Sequence, residues 1–311
     1  MGGIEARAAD TVSTAPAAAS TAKPGGIFSA EVFGGYFTGT AGEYVYNVPG
    51  DRSKVSQLDW QIDGAAIIGV RVIFKPLDWL EVKGAGFTVL DSDNAMDDFD
   101  WLAGYDGFDS WTHWSHSKDT QLAKFYQVDA SAAAQLFDAG RIRVSGIAGY
   151  RFQTFKMNAY GGSYIYSSEM GFRDVEGSFP PGLLGIAYQQ WWHTPYLGLG
   201  VRYTGDNLTV NAEVIGSPFV MAHDKDHHNL RGLVFEEAFA PDRMLGAALG
   251  VEYALTDSIA LTGRVEYQKF LEARGSTRIK TVDGLAAHLP KPSAGADLTT
   301  LALTFGLKAG F

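Results

Sequence analysis

Two short acidic runs, Asp97-Asp98-Phe99-Asp100-Trp101 and His223-Asp224-Lys225-Asp226-His227-His228, carry the densest reactive chemistry in this chain. On extended backbone, residues two apart share a face. Asp98 and Asp100 then point together while Phe99 and Trp101 point away. By the same rule Asp224, Asp226 and His228 share one face, and His223, Lys225 and His227 share the other. An imidazole can take a proton from water while a neighbouring carboxylate orients the ring and stabilises the imidazolium that forms. Two adjacent carboxyl groups resist double ionisation, so one of them can keep a proton at neutral pH. A base and an acid for attack by water are therefore available, with no covalent intermediate. Spacing alone leaves three readings open. These are solvated strand ends with loose calcium contacts, a zinc or other transition-metal site built on Asp226, His228 and nearby acids, and a metal-free hydrolytic site.

The elements that must position these residues read as strands. From Ile27 onward polarity alternates with period two, most clearly over Thr300 to Phe311, where Leu301, Leu303, Phe305, Leu307 and Phe311 share a face. About ten such segments lie near 27–48, 53–75, 79–90, 119–137, 141–160, 183–203, 208–222, 244–254, 259–272 and 298–311. The face opposite the apolar one carries Glu213, Arg264, Glu266 and Lys308 among many glycines, which suits a wet lumen. Short polar turns at 75–78, 137–140, 204–207 and 255–258 alternate with long loops at about 91–118, 161–182, 223–243 and 273–297. An even strand count with short turns on one side and long loops on the other predicts a transmembrane, antiparallel, up-and-down β-barrel. A terminal Phe311 agrees with that fold. Several segments exceed the roughly 9–11 residues a strand needs to cross a bilayer, so the barrel should project beyond it. A soluble β-sandwich shares the alternation, but the mixed inner face and the loop rhythm weigh against it.

Composition narrows the classes further. The 311 residues are 46% hydrophobic and contain no cysteine, which excludes thiol catalysis and disulfide scaffolding. No run approaches the roughly 18 consecutive apolar residues of a transmembrane helix. Twenty-five basic against 35 acidic residues give a net charge of −10, unfavourable for nucleic acid and suited to cationic ligands. Residues 1–26, rich in Ala, Thr, Ser, Pro and Gly, read as a disordered segment ahead of one barrel domain spanning 27–311. Ala6-Arg7-Ala8 is similar to the small-residue pattern before a signal-peptidase cut, without the apolar stretch that should precede it.

Several stretches together resemble the omptins, outer-membrane proteases of Gram-negative bacteria. They are Lys54-Val55-Ser56-Gln57-Leu58-Asp59-Trp60, Asp98-Phe99-Asp100-Trp101, Asp119-Thr120-Gln121-Leu122, the run from Gly161 through Glu169 continued by Gly171-Phe172-Arg173-Asp174, and Ala222 through His228. The last is similar to the plasminogen-activating branch of that family. The resemblance runs in order from about Ile27 to Phe311. It implies a ten-stranded barrel with an active-site groove at its outer rim, and catalytic positions at Asp98 and Asp100 on one wall and Asp226 and His228 on the other. It also implies an acidic pocket of Glu43 and Asp224 that takes Arg or Lys before the scissile bond. No metal and no cofactor are implied, apart from lipopolysaccharide as a possible activator. The expected partners are basic peptide or protein substrates and the lipid of the outer membrane.

Three departures from the family pattern matter. His113 stands where some omptins place an acid for the residue after the cut, and a neutral imidazole does not attract a second basic residue as a carboxylate would. On the outer wall, Phe152, Thr154 and Trp191 occupy charged lipopolysaccharide positions, so Tyr150 alone suggests weak binding. Phe99 replaces a glutamine between the two aspartates and should face away. Two other readings compete with a protease: an omptin-like barrel acting mainly as an adhesin, and a passive pore.

Overall fold

The structure, a computed structural model, describes residues 26–102, 110–281, 283–284 and 286–311. The stretch assigned above to a disordered start lies, apart from Gly26, outside the described residues.

The sheet closes on itself. β1 (Phe28–Tyr46), β2 (Lys54–Leu77) and β3 (Leu80–Asp100) are followed by a short β4 (His113–Ser117), then β5 (Asp119–Asp138) and β6 (Ile142–Tyr160). After the small strands β7 (Ser163–Tyr166) and β8 (Val175–Ser178) come β9 (Leu184–Thr204) and β10 (Leu208–His228). β11 (Leu233–Phe239) and β12 (Asp242–Ala254) lie end to end as one stave between β10 and β13 (Ile259–Thr281), and β14 (Ala286–Gly310) returns to β1. The ring is β1-β2-β3-β5-β6-β9-β10-(β11, β12)-β13-β14, every pairing antiparallel. Ten staves match the ten alternating segments.

Alternation becomes inside and outside. On β1, Glu31, Phe33, Phe37, Ala41 and Glu43 are buried inward, while Val32 and Tyr36 are exposed on the wall. Leu301, Leu303, Phe305 and Leu307 are likewise exposed, as are Val70, Val72 and Phe74 on β2. These outward residues form an apolar belt at the end of the barrel that carries the short turns. A sheet buried nowhere else can leave such a belt in the open only if lipid covers it.

Inside this belt the lumen is braced by charge pairs that cross it. Lys83 on β3 reaches Glu213 on β10 at 2.7 Å, and Arg202 on β9 reaches Glu81 on β3 at 3.0 Å. Arg151 on β6 meets Glu266 on β13 at 2.9 Å, and Arg264 binds Glu213 at 2.7 Å. A cavity of about 130 Å³ remains among them. Above it, toward the rim, Phe37, Phe125, Phe155, Phe270 and Leu298 pack as a nearly dry layer. Cross-bracing and an apolar layer argue against an open channel.

The long loops expected at 91–118, 223–243 and 273–297 are corrected. β3 continues to Asp100, β10 to His228 and β13 to Thr281, and β14 begins at Ala286. Above the belt both faces of the wall are polar, so the hydropathy alternation fades although the backbone ladder runs on. The loop expected at 161–182 is real in part, and folds into the β7–β8 hairpin, which extends β4 at the rim. Gly162 turns the chain there at φ 107, where a Cβ would lie 2.3 Å from the carbonyl oxygen of His116. Arg173 then lies over the Trp111 ring, 3.4 Å from its centroid, and donates from Nε to the Trp111 carbonyl. The long family-like run is thus a bracket for β4.

Candidate active site

Strand continuation lifts both polar clusters clear of the belt and turns their active faces into the barrel mouth. On β3, Asp98 pairs with Leu58 of β2 and Ser115 of β4, and Asp100 pairs with Ser56 and His113. Asp98 is buried, and its Oδ1 has no hydrogen-bond partner among the described residues. Burial, then the neighbouring Asp100, holds the Asp98 carboxyl well above the usual range, and Asp226 adds to this while Arg231 opposes it. Asp100 is also raised by burial, against the pull of Ser56, Arg231, His113 and His228. Two carboxyl groups raised together are a pair that can hold a proton at neutral pH.

Across the mouth, β10 presents Asp226 and His228. Nε2 of His228 lies 2.5 Å from Oδ2 of Asp226, at an ion-pair approach rather than along a well-angled hydrogen bond. The imidazole rests edge-on against Phe235 with ring centroids 5.1 Å apart. The two walls sense each other, since Asp226 acts on Asp98 and His228 on Asp100. A carboxylate beside an imidazole, opposite a carboxyl pair, can bind a water and move its proton.

Below this pair a second acidic group lies on the same inner face. Glu43 is buried and accepts from Trp60 Nε1 at 3.2 Å. Burial drives its carboxyl well up, followed by the charges of Asp226, Asp224 and Glu237. Asp224 accepts from the Tyr188 hydroxyl at 2.8 Å, and burial pushes its carboxyl up to about 8. The Tyr188 ring stacks on Trp60 at 5.2 Å and 14°, and Gln190 Nε2 donates to its hydroxyl at 2.6 Å. Acids this deeply buried, with no cation paired to either among the described residues, suit a basic side chain from outside.

The structure thus brings Asp98, Asp100, Asp226, His228, Glu43 and Asp224 to one cleft. His113 joins them, opposite Asp100 and packed on Tyr166 with ring centroids 4.9 Å apart. Phe99 faces the outer side and packs between Trp111 and Trp114. Tyr150 is on the outer wall of β6, exposed, with its hydroxyl 2.6 Å from Nδ1 of His193. Phe152 packs on the same imidazole, Trp191 stacks on His223 at 4.7 Å, and Thr154 is fully buried, donating to the Gln190 carbonyl. Sequence reasoning missed Glu237, Tyr188, Trp60 and Arg231. Glu237 could have been found, because it falls on the inward parity of 233–239 once that stretch is read as strand.

Comparison with known proteins identifies the family and the fold. The Omptin family profile matches residues 26–311. The chain is 30% identical to the plasminogen activator of Yersinia pestis over 281 residues, covering 89% of this chain and 87% of that protein. It is also 30% identical to the outer membrane protease OmpP of Escherichia coli strain K12, covering 91% and 90% respectively. The crystal structure of the outer membrane protease OmpT from Escherichia coli superimposes with a TM-score of 0.87 at 29% identity, covering 91% of this chain and 96% of that one. A lipid-facing belt, ten staves and this similarity along nearly the whole chain place the protein in the outer membrane, and it belongs to the omptin family of outer-membrane proteases.

Proposed function

We propose that this protein is an endopeptidase that cleaves peptides and proteins after Arg or Lys, using a water activated between His228–Asp226 and Asp98–Asp100. The observation that carries the reading is the approach of His228 to a buried Asp226, facing a carboxyl pair raised by burial. His228 takes a proton from the water as its oxygen attacks the scissile carbonyl carbon, and Asp226 stabilises the resulting imidazolium. The proton shared by Asp98 and Asp100 hydrogen-bonds the developing oxyanion, which a neutral acid does better than a charged one. As the tetrahedral carbon collapses, the imidazolium returns its proton to the leaving amine. Glu43 and Asp224 hold the cationic side chain before the cut. No metal or cofactor enters these steps. The cleft opens at the end opposite the short turns, which in such barrels is the outer side, so substrates arrive from outside the cell.

The test is incubation with a mixed peptide library and mass mapping of the cuts. Cleavage confined to bonds after Arg or Lys, and lost in His228→Ala, is expected. Cuts without a basic residue, or an unchanged rate in that variant, would overturn the reading.

A further inference from the structure

Glu237 sits on β11 directly opposite Asp224 of β10. It is as buried as Asp224, at 4% against 3% exposure, and among the described residues no cation accompanies either side chain in an ion pair. Its Oε1 accepts from the Thr277 hydroxyl at 2.9 Å, and Thr277 is held in turn by Ser293 at 2.9 Å. Oε2 of Glu237 and Oδ1 of Asp224 have no hydrogen-bond partner among the described residues. The first oxygen is therefore anchored from behind, and the second is left to the neighbouring Asp224 carboxyl.

We infer that Glu237 is a third acid of the cation pocket, and that it binds a guanidinium nitrogen of the arginine side chain before the scissile bond. This rests on the proposed cleavage after basic residues and names how that pocket discriminates. In the free protein, Asp224 and Glu237 are close enough to share one proton, which keeps two buried charges from facing each other. Burial, followed by Asp224, drives the Glu237 carboxyl well up. A guanidinium replaces that proton. Its planar fork offers adjacent N–H groups to two carboxylates at once, while an ammonium acts as a single point charge. Glu237 should thus favour Arg over Lys, with Glu43 supplying charge to either.

The experiment compares kcat/KM for three peptides that differ only before the cut, carrying Arg, Lys or the neutral isostere citrulline. Folded wild type, Glu237→Gln and Glu43→Gln are assayed. The amide keeps the shape and the Thr277 hydrogen bond, and folding is checked by heat-resistant gel migration. For Glu237→Gln, a fall of about thirtyfold or more is expected with Arg, the scale of losing one partner of a buried charge pair, with a smaller fall for Lys and little for citrulline. A purely structural role would lower all three alike and overturn the inference. Where Glu43→Gln collapses the preference for Arg over citrulline but Glu237→Gln leaves it intact, Glu237 is excluded and the basic pocket stands. Where wild type shows no preference for Arg over citrulline, the pocket itself is wrong. If the amide does not fold, Thr277→Val frees Oε1 and should lower the Arg-to-Lys ratio severalfold, and an unchanged ratio overturns the inference.

Discussion

His113 stands directly opposite Asp100 on the β3–β4 ladder, inside the cleft, with its ring against Tyr166. The residue after the scissile bond would therefore meet an imidazole rather than an acid. Asp97, an alternative acid by sequence, faces the outer wall, where it accepts from Trp114 Nε1 at 3.0 Å and lies 2.9 Å from His116 Nδ1. Asp109 lies outside the described residues. Peptides with Lys or Ala after a common Arg should be cleaved at similar rates by wild type. His113→Asp should raise the Lys-to-Ala ratio by roughly tenfold, the scale of about 1.4 kcal/mol from one added charge contact. A strong preference for Lys in wild type would refute this assignment.

Removing the water-activating groups should cost turnover and spare the fold. His228→Ala, Asp226→Ala and Asp98→Ala should each lower kcat by roughly two to four orders of magnitude. Heat-resistant gel migration should remain, because the lumen braces and the lipid belt lie elsewhere in the barrel. A variant that cleaves at the wild-type rate would remove its residue from the mechanism.

Selectivity for a cation should rise with pH. The Asp224 carboxyl, raised by burial to about 8, carries its proton below that pH and its charge above it. In the free enzyme the charge that attracts Arg is therefore gained as pH increases from about 6.5 to 9. The ratio of kcat/KM for Arg and citrulline peptides should climb over that window, and Asp224→Asn should flatten it. Using the ratio cancels losses from deprotonation of the Asp98–Asp100 pair, which affects both peptides. A ratio that falls with pH would reverse the proposed sign.

Chelation separates the hydrolytic reading from a metal one. Treatment with EDTA should leave the rate within about twofold, whereas a zinc mechanism would be abolished. Inhibition reversed by added zinc would assign Asp226 and His228 to a metal instead.

The outer wall should bind lipopolysaccharide weakly. Phe152 and Trp191 pack against His193 and His223, and Thr154 is buried, so none offers a fixed positive charge to a phosphate. Added lipopolysaccharide should activate this protein less than a relative with basic residues at those positions, measured as the fold-increase in kcat/KM. An absolute requirement that disappears in Tyr150→Ala would contradict this.

The strand count, the asymmetry of the two barrel ends and the two reactive clusters were legible in the residues alone. Period-two polarity, turn residues such as Thr204-Gly205-Asp206-Asn207 and the shared face of Asp224, Asp226 and His228 are all local properties of an extended chain. The strand ends were not legible. Above the lipid belt both sides of the wall carry polar residues, so hydropathy no longer marks the pleat, and the alternation of β3, β10, β13 and β14 stops short of their ends. Glu237 was hidden for the same reason, since a residue assigned to a loop has no face. Closure of the ring alone decided which distant groups meet. Lys83 reaches Glu213 across 130 positions of sequence, and Asp98 faces Asp226 across the mouth. Local pattern sets which side of the wall a residue occupies, while the register of ten staves sets its height and its partner across the lumen.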